Sequence, residues 1–199
     1  MVGSVPTVPS PRPPLDPGDR ARHWYESTLG WRTAPGAPLR LLVGHRFDVL
    51  DVPVEAGRAA LRHLGPSSPV AVQGGRMRLL VAAGSAEELP GLLDWLEWGA
   101  VALDLTALGA GALMDAPPPP DRGAAAAGTH PAGLPGSQGA AVWLRPPGPG
   151  GGAEVSLPTL SAAGSRAGTP DLVRLVDTVA TQCHRIRLLC ACAQPLAFS

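Results

Sequence analysis

Apolar residues recur along this chain with two periods, and each change of period marks an element. Ala21, Trp24, Tyr25 and Leu29 are spaced as on one face of a helix through "RARHWYESTLG". Asp19 stands at an N-cap position, and Gly30 stands where the helix would end. "GWRTAPG" predicts a short strand and a turn, and "LRLLVG" and "FDVLDV" predict two more strands. Pro53 stops the last of these and suits the first turn of a helix over "VEAGRAALRHLG". That helix turns Val54, Ala60, Leu61 and Leu64 toward a core, and Gly65-Pro66 ends it.

"PVAVQ" and "RMRLLVAA" read as a hairpin joined at Gly74-Gly75. Ser85 with Glu88 forms a capping-box pattern ahead of "AEELPGLLDWLEWG", whose Leu89, Leu92, Leu93 and Leu96 share a face. Pro90 falls in the first turns of that helix, where it costs least. "AVALDL", "GALMDAP" and "AAVWLRPP" return to strand character. The clearest element is "TPDLVRLVDTVATQCHRIRLLC", with Thr169 as N-cap, Pro170 at the first helical position and Asp171 near the positive end of the dipole. Leu172, Val176, Val179, Cys183, Ile186 and Cys190 make its apolar stripe, opposite Arg174, Asp177 and Arg185. At ~1.5 Å per residue this helix is roughly 30 Å long. Interleaved helices and hairpin strands predict an α+β fold, a mixed or antiparallel sheet packed with helices, plus a long C-terminal helix.

Composition sharpens the boundaries. The 199 residues suit one domain, and 45% hydrophobic content supplies a core. The 25 glycines and 24 prolines are unevenly spread. They mark a disordered tail over 1–18, a flexible loop over 117–139, a linker over 148–168 and a tail over 193–199. The folded part then spans 19–147, followed by the helix over 169–192. All 16 basic residues are arginine and balance 16 acids, so only a local patch would attract nucleic acid. Three cysteines near the C-terminus argue against a secreted disulfide framework. With no signal-peptide pattern and no apolar run of ~18 residues, the expectation is a cytoplasmic protein that does not span a membrane.

Candidate chemistry centres on "RFDVLDVP". Asp48 and Asp51 are three apart, so on a regular strand they face opposite sides and do not share a metal. Arg76 and Arg78 are two apart on one face, placed either to grip a phosphate or to form the wet side of an edge strand. Cys183, His184, Cys190 and Cys192 match no common zinc spacing, and Cys183 and Cys190 read as core. Trp95, Trp98 and Trp143 read as core aromatics before base-stacking ones. "ALGAGAL" lacks the lysine of a phosphate loop and reads as a turn.

"GWRTAPG", "VGHRFDVLDVPVEAGRAALRHL", "GGRMRLLVAAG", "WGAVALDLTALGAGALMDAPP" and "VWLRPP" occur in an order that resembles the N-terminal domain of bifunctional DNA primase/polymerases, the Prim-Pol family, over His23 to Pro147. The resemblance implies a primase-like fold and nucleotidyl transfer with Mg²⁺ or Mn²⁺ held by three carboxylates, beside a histidine that meets the nucleotide. Asp51 matches the first carboxylate and Asp104, in "ALDL", the third. Pro53 stands where the second acid belongs, and the register puts Met77 at the histidine. Three readings follow. One is a catalytically degenerate domain that binds nucleotide or nucleic acid, with Arg76 and Arg78 as the contacts. Another is an active nucleotidyltransferase with a rearranged metal site of Asp51, Glu55 and Asp104. The third is a protein-interaction module that docks through the C-terminal stripe around Val176 and Val179, its partner unspecified.

Overall fold

The computed structural model describes residues 16–120, 139–148, 156–160 and 171–192. Its centre is strand β3 (Asp48–Pro53), whose residues are buried on both sides apart from a half-buried Asp51. β3 pairs antiparallel with β5 (Arg76–Val81) and with β6 (Thr106–Leu108). β5 pairs with β4 (Val70–Gln73), and β4 with β8 (Val142–Arg145), giving a five-stranded sheet in the order β6-β3-β5-β4-β8. A smaller sheet joins β1 (Thr33–Ala34), β2 (Arg40–Leu42) and β7 (Leu113–Asp115), also antiparallel. The structure is therefore α+β with antiparallel sheets packed with helices, and it carries a C-terminal helix.

Alternation along β3 divides the core in two. Leu50 and Val52 face α2 (Val54–Ala60), α3 (Ser85–Trp95) and α4 (Leu172–Cys192), packing with Leu79, Leu89, Leu175 and Val179. Val49 and Leu80 face the smaller sheet and the N-terminal helix, packing with Tyr25, Trp31, Leu41 and Met114. α2 lies close to β5: a Cβ added at Gly57 would clash with Met77 Sδ. On the opposite side, the Tyr25 hydroxyl donates to Pro117 O at 2.5 Å and accepts from Trp143 Nε1 at 3.1 Å. Burial pushes the Tyr25 phenol pKa upward, so the hydroxyl stays protonated to donate that bond.

Several boundaries differ from the sequence reading. The first helix, α1 (Pro17–His23), starts before Asp19, with Asp16 at the N-cap position and Pro17 at the first helical position. Pro17 and Gly18 therefore belong to a helix and not to a tail. A wider π-helical turn over Trp24–Leu29 follows, and Gly30 leaves it at φ 69, the left-handed conformation glycine adopts freely. Ser85 makes no cap bond; Gly84 is the N-cap residue. "AVALDL" is not a strand, because the chain turns over 97–104 and pairs only from Thr106. Within the expected linker, Leu157 is buried in the aromatic core and Pro158 O accepts from Ala82 N. Pro117, at the edge of the expected flexible loop, is buried as well.

Thr169 and Pro170 lie outside the described residues, as do 1–15, 121–138, 149–155, 161–168 and 193–199. Asp171 Oδ1 accepts from Val173 N at 2.9 Å and so serves the start of α4. The α4 stripe is buried from Leu172 through Cys183, half-buried at Ile186 and exposed at Cys190. Val176 and Val179 are wholly inside, so the stripe around them is core and is not available for docking a partner. Among the described residues no helix is long and apolar enough to cross a membrane.

Candidate functional site

The antiparallel register places Asp51 opposite Arg78 and Pro53 opposite Arg76. On its other side β5 pairs with β4 through the tight Gly74-Gly75 turn, where Gly74 takes φ 57. Side chains at paired positions share a face. Asp51, Arg76 and Arg78 therefore converge on the sheet face away from α2 and α4. Asp104 joins them from the turn that precedes β6.

Arg76 is the hub. Its Nε donates to Asp51 Oδ1 at 2.5 Å, its Nη2 to Asp51 O at 2.9 Å, and its Nη1 to Asp104 Oδ1 at 2.6 Å. Arg78 Nε donates to Asp51 Oδ2 at 3.3 Å. Both carboxylate oxygens of Asp51 are thus taken by guanidinium groups. Asp51 is 15% exposed and Arg76 31%, whereas Asp104 is 65% exposed, so the bonds to Asp51 are the better shielded from water. Burial alone would lower the Arg76 pKa, but hydrogen bonds to Asp51 and Asp104 outweigh it, and the net shift is upward. Arg76 is a fixed cation.

Arg78 Nη1 is buried without a partner among the described residues. So is Gln73 Oε1, although Gln73 Nε2 donates to Asp115 Oδ2 at 2.7 Å and to Gly139 O at 2.8 Å. Each leaves unused hydrogen-bonding capacity.

The remaining candidates are elsewhere. Asp48 is on the opposite face, where its Oδ2 accepts from Ala86 N at 2.9 Å at the start of α3. Burial raises its pKa, and the backbone N–H groups of Ala86 and Gly84 offset part of that rise. Glu55 is exposed in the first turn of α2, beyond Pro53. Among the described residues no group of three or more His, Cys, Asp or Glu is arranged to hold a metal ion. Two carboxylates already bonded to two guanidinium groups do not fit a divalent cation, which needs its oxygen ligands free.

Met77 is buried against Gly57 on the helix-covered face. The residue that looks across at Asp51 is Arg78, so the position matched to a histidine points away from the site. Cys183 is core, and its thiol donates to Asp104 O at 3.4 Å, tying α4 to the turn that carries the acid. Burial, with Asp104 nearby, pushes that thiol up to about 11. Cys190 and Cys192 are exposed and free, so the expected core place of Cys190 is not found. Trp143 packs 6.3 Å from Trp31, ring centre to ring centre, and Trp98 Nε1 donates to Asp177 Oδ1 at 3.1 Å. Trp95 is 72% exposed, contrary to its expected place in the core.

Sequence reasoning missed the role of Asp48, although an acid inside an apolar run is itself a signal that a buried donor waits for it. It also missed the contact of Tyr25 with Pro117 and Trp143, which lie 92 and 118 positions away and leave no local pattern. Two cavities among the described residues, of about 510 and 410 Å³, lie beside Trp31 and Arg32 and beside Leu89 and Gly99; none of Asp51, Arg76, Arg78 or Asp104 lines either. No family model matches the chain, and neither a curated protein nor a solved structure matches it.

Proposed function

We propose that this chain is a Prim-Pol-like domain, related to DNA primase/polymerases, that no longer transfers nucleotides and serves as a nucleotide- or nucleic-acid-binding module. One observation carries the reading: Arg76 bonds to both Asp51 and Asp104, the two acids matched to a catalytic set, while Pro53 fills the position in phase with Asp51. Nucleotidyl transfer of the two-metal kind needs carboxylates free to hold both cations. Here the same carboxylates hold arginine. The binding half of the proposal is supported by Arg76 and Arg78 lying on one sheet face, two part-exposed guanidinium groups whose forked donors suit phosphate oxygens. The alternative of a rearranged active site would need Glu55 to join Asp51 and Asp104, and Glu55 is exposed on a separate helix.

Primer synthesis and primer extension, with Mg²⁺ and with Mn²⁺, test the first half. The expected result is no incorporation above a no-protein control; incorporation abolished by Asp51→Ala would refute it. Titration with a fluorescent nucleotide and with labelled single-stranded DNA tests the second half. Weak, salt-sensitive binding that Arg78→Ala removes is expected, and binding unaffected by that change would refute it.

A further inference from the structure

Two acids from different elements, Asp51 on β3 and Asp104 in the turn before β6, are bridged by one side chain. We propose that the Arg76 guanidinium is the permanent counter-cation of the Asp51–Asp104 pair, and that it keeps divalent metal out of a place that would otherwise accept one. The proposal rests on the reading of the site given above, and its test is independent of polymerase activity.

All three nitrogens of the Arg76 group are in use: Nε and Nη2 on Asp51, Nη1 on Asp104. The group is planar and always charged, and its donors are spread, so one side chain spans two acids that a lysine ammonium would meet only as a point. Its attachment to β5 matters equally. Arg76 is fixed opposite Pro53 by the strand ladder, so its effective concentration at the acids is set by the fold. A dissolved cation must lose water to enter, and Mg²⁺ in particular gives up its water reluctantly. Arg78 on the other oxygen of Asp51 completes the neutralisation, leaving two acids and two guanidinium groups with no net charge to attract a metal.

The test is Mn²⁺ binding to the full-length protein, read by the loss of the free-ion electron paramagnetic resonance signal. Wild type is expected to leave the signal of the free ion unchanged at millimolar Mn²⁺. Arg76→Ala should bind one Mn²⁺ per chain at least about tenfold more tightly than wild type, and Arg76→Ala/Asp104→Asn should lose the gain. Arg76→Lys, which keeps a cation in place, should stay metal-free. Arg76→Met, which keeps the length of the side chain without its charge, serves if the alanine variant does not fold, and should behave as the alanine variant does. One Mn²⁺ bound by wild type and lost in Asp51→Asn would overturn the proposal, even with polymerase activity absent. So would the absence of any gain in both Arg76→Ala and Arg76→Met, with circular dichroism showing at least one of them folded.

Discussion

The two aspartates of β3 are three residues apart and live in different chemistry. Asp48 points toward the helices, is 1% exposed, and receives backbone N–H at the start of α3. Asp51 points the other way and receives two arginines. One acid ties the sheet to a helix; the other ties one strand to its neighbour. A carboxylate's job in a fold is therefore set by the donors its face supplies. On the helix face the donors are backbone groups left over at a helix end. On the other face they are guanidinium groups placed by strand register. Both oxygens of Asp51 are taken, whereas Asp48 keeps Oδ1 buried and unpaired among the described residues.

The strongest loss should come from the helix-covered face itself. Leu175→Ala empties space beneath α4, where Leu175 is fully buried, and should cost about 3 kcal/mol in urea unfolding. A loss below about 1 kcal/mol would show that α4 is not held by this face. Next, Asp51→Ala strands two part-buried arginines and should cost about 2 kcal/mol, less than a fully buried pair because Arg76 reaches solvent. Stability unchanged would mean that the cluster holds nothing together.

Asp48→Ala removes an acceptor from the start of α3 and should cost about 1 kcal/mol. Its pH dependence separates it from Asp51. Burial raises the Asp48 pKa, so the folded state keeps that proton to higher pH than the unfolded chain does. Asp48 therefore contributes stability at acid pH, and this contribution falls as pH rises from the ordinary aspartate range through the raised folded value. Thermal unfolding of wild type and of Asp48→Asn from pH 3 to pH 8 checks this. The variant has no proton to lose at that position, so the stability of wild type relative to it should fall as pH rises. A relative stability that rises instead would mean that the backbone donors outweigh burial. Smallest of all, Asp104→Ala should change stability by less than about 1 kcal/mol, because that acid is mostly in water.

Local signals in the sequence carry most of the fold. The "VAVQGGRMRLLV" hairpin, the helix after Pro53 and the long terminal helix are each specified by alternation, by a turn dipeptide or by a 3.6-residue stripe. Asp51, Arg76 and Arg78 could be assigned to their faces from strand period alone. What stayed hidden depends on distance along the chain. The donor that bridges Asp51 to Asp104 comes from a register that no single strand states. Asp104 looked like a strand residue because "AVALDL" alternates, yet tertiary packing turns that segment over α4, where Arg187 Nη1 donates to Ala102 O at 2.7 Å. The local motif at Ser85 and Glu88 points to a capping box for α3, yet Asp48, an acid 38 residues before the Ala86 donor, accepts there instead.

Asp51 is bonded to Arg76, and a double-mutant cycle on Asp51→Ala and Arg76→Ala tests directly the proposal that this partnership stands in place of a metal. The expected coupling, measured in EDTA, is favourable by about 1–2 kcal/mol, and it shrinks in millimolar Mn²⁺ because the metal stabilises the folded Arg76→Ala variant alone. A coupling near zero, or an Asp51→Ala variant more stable than wild type, would contradict it.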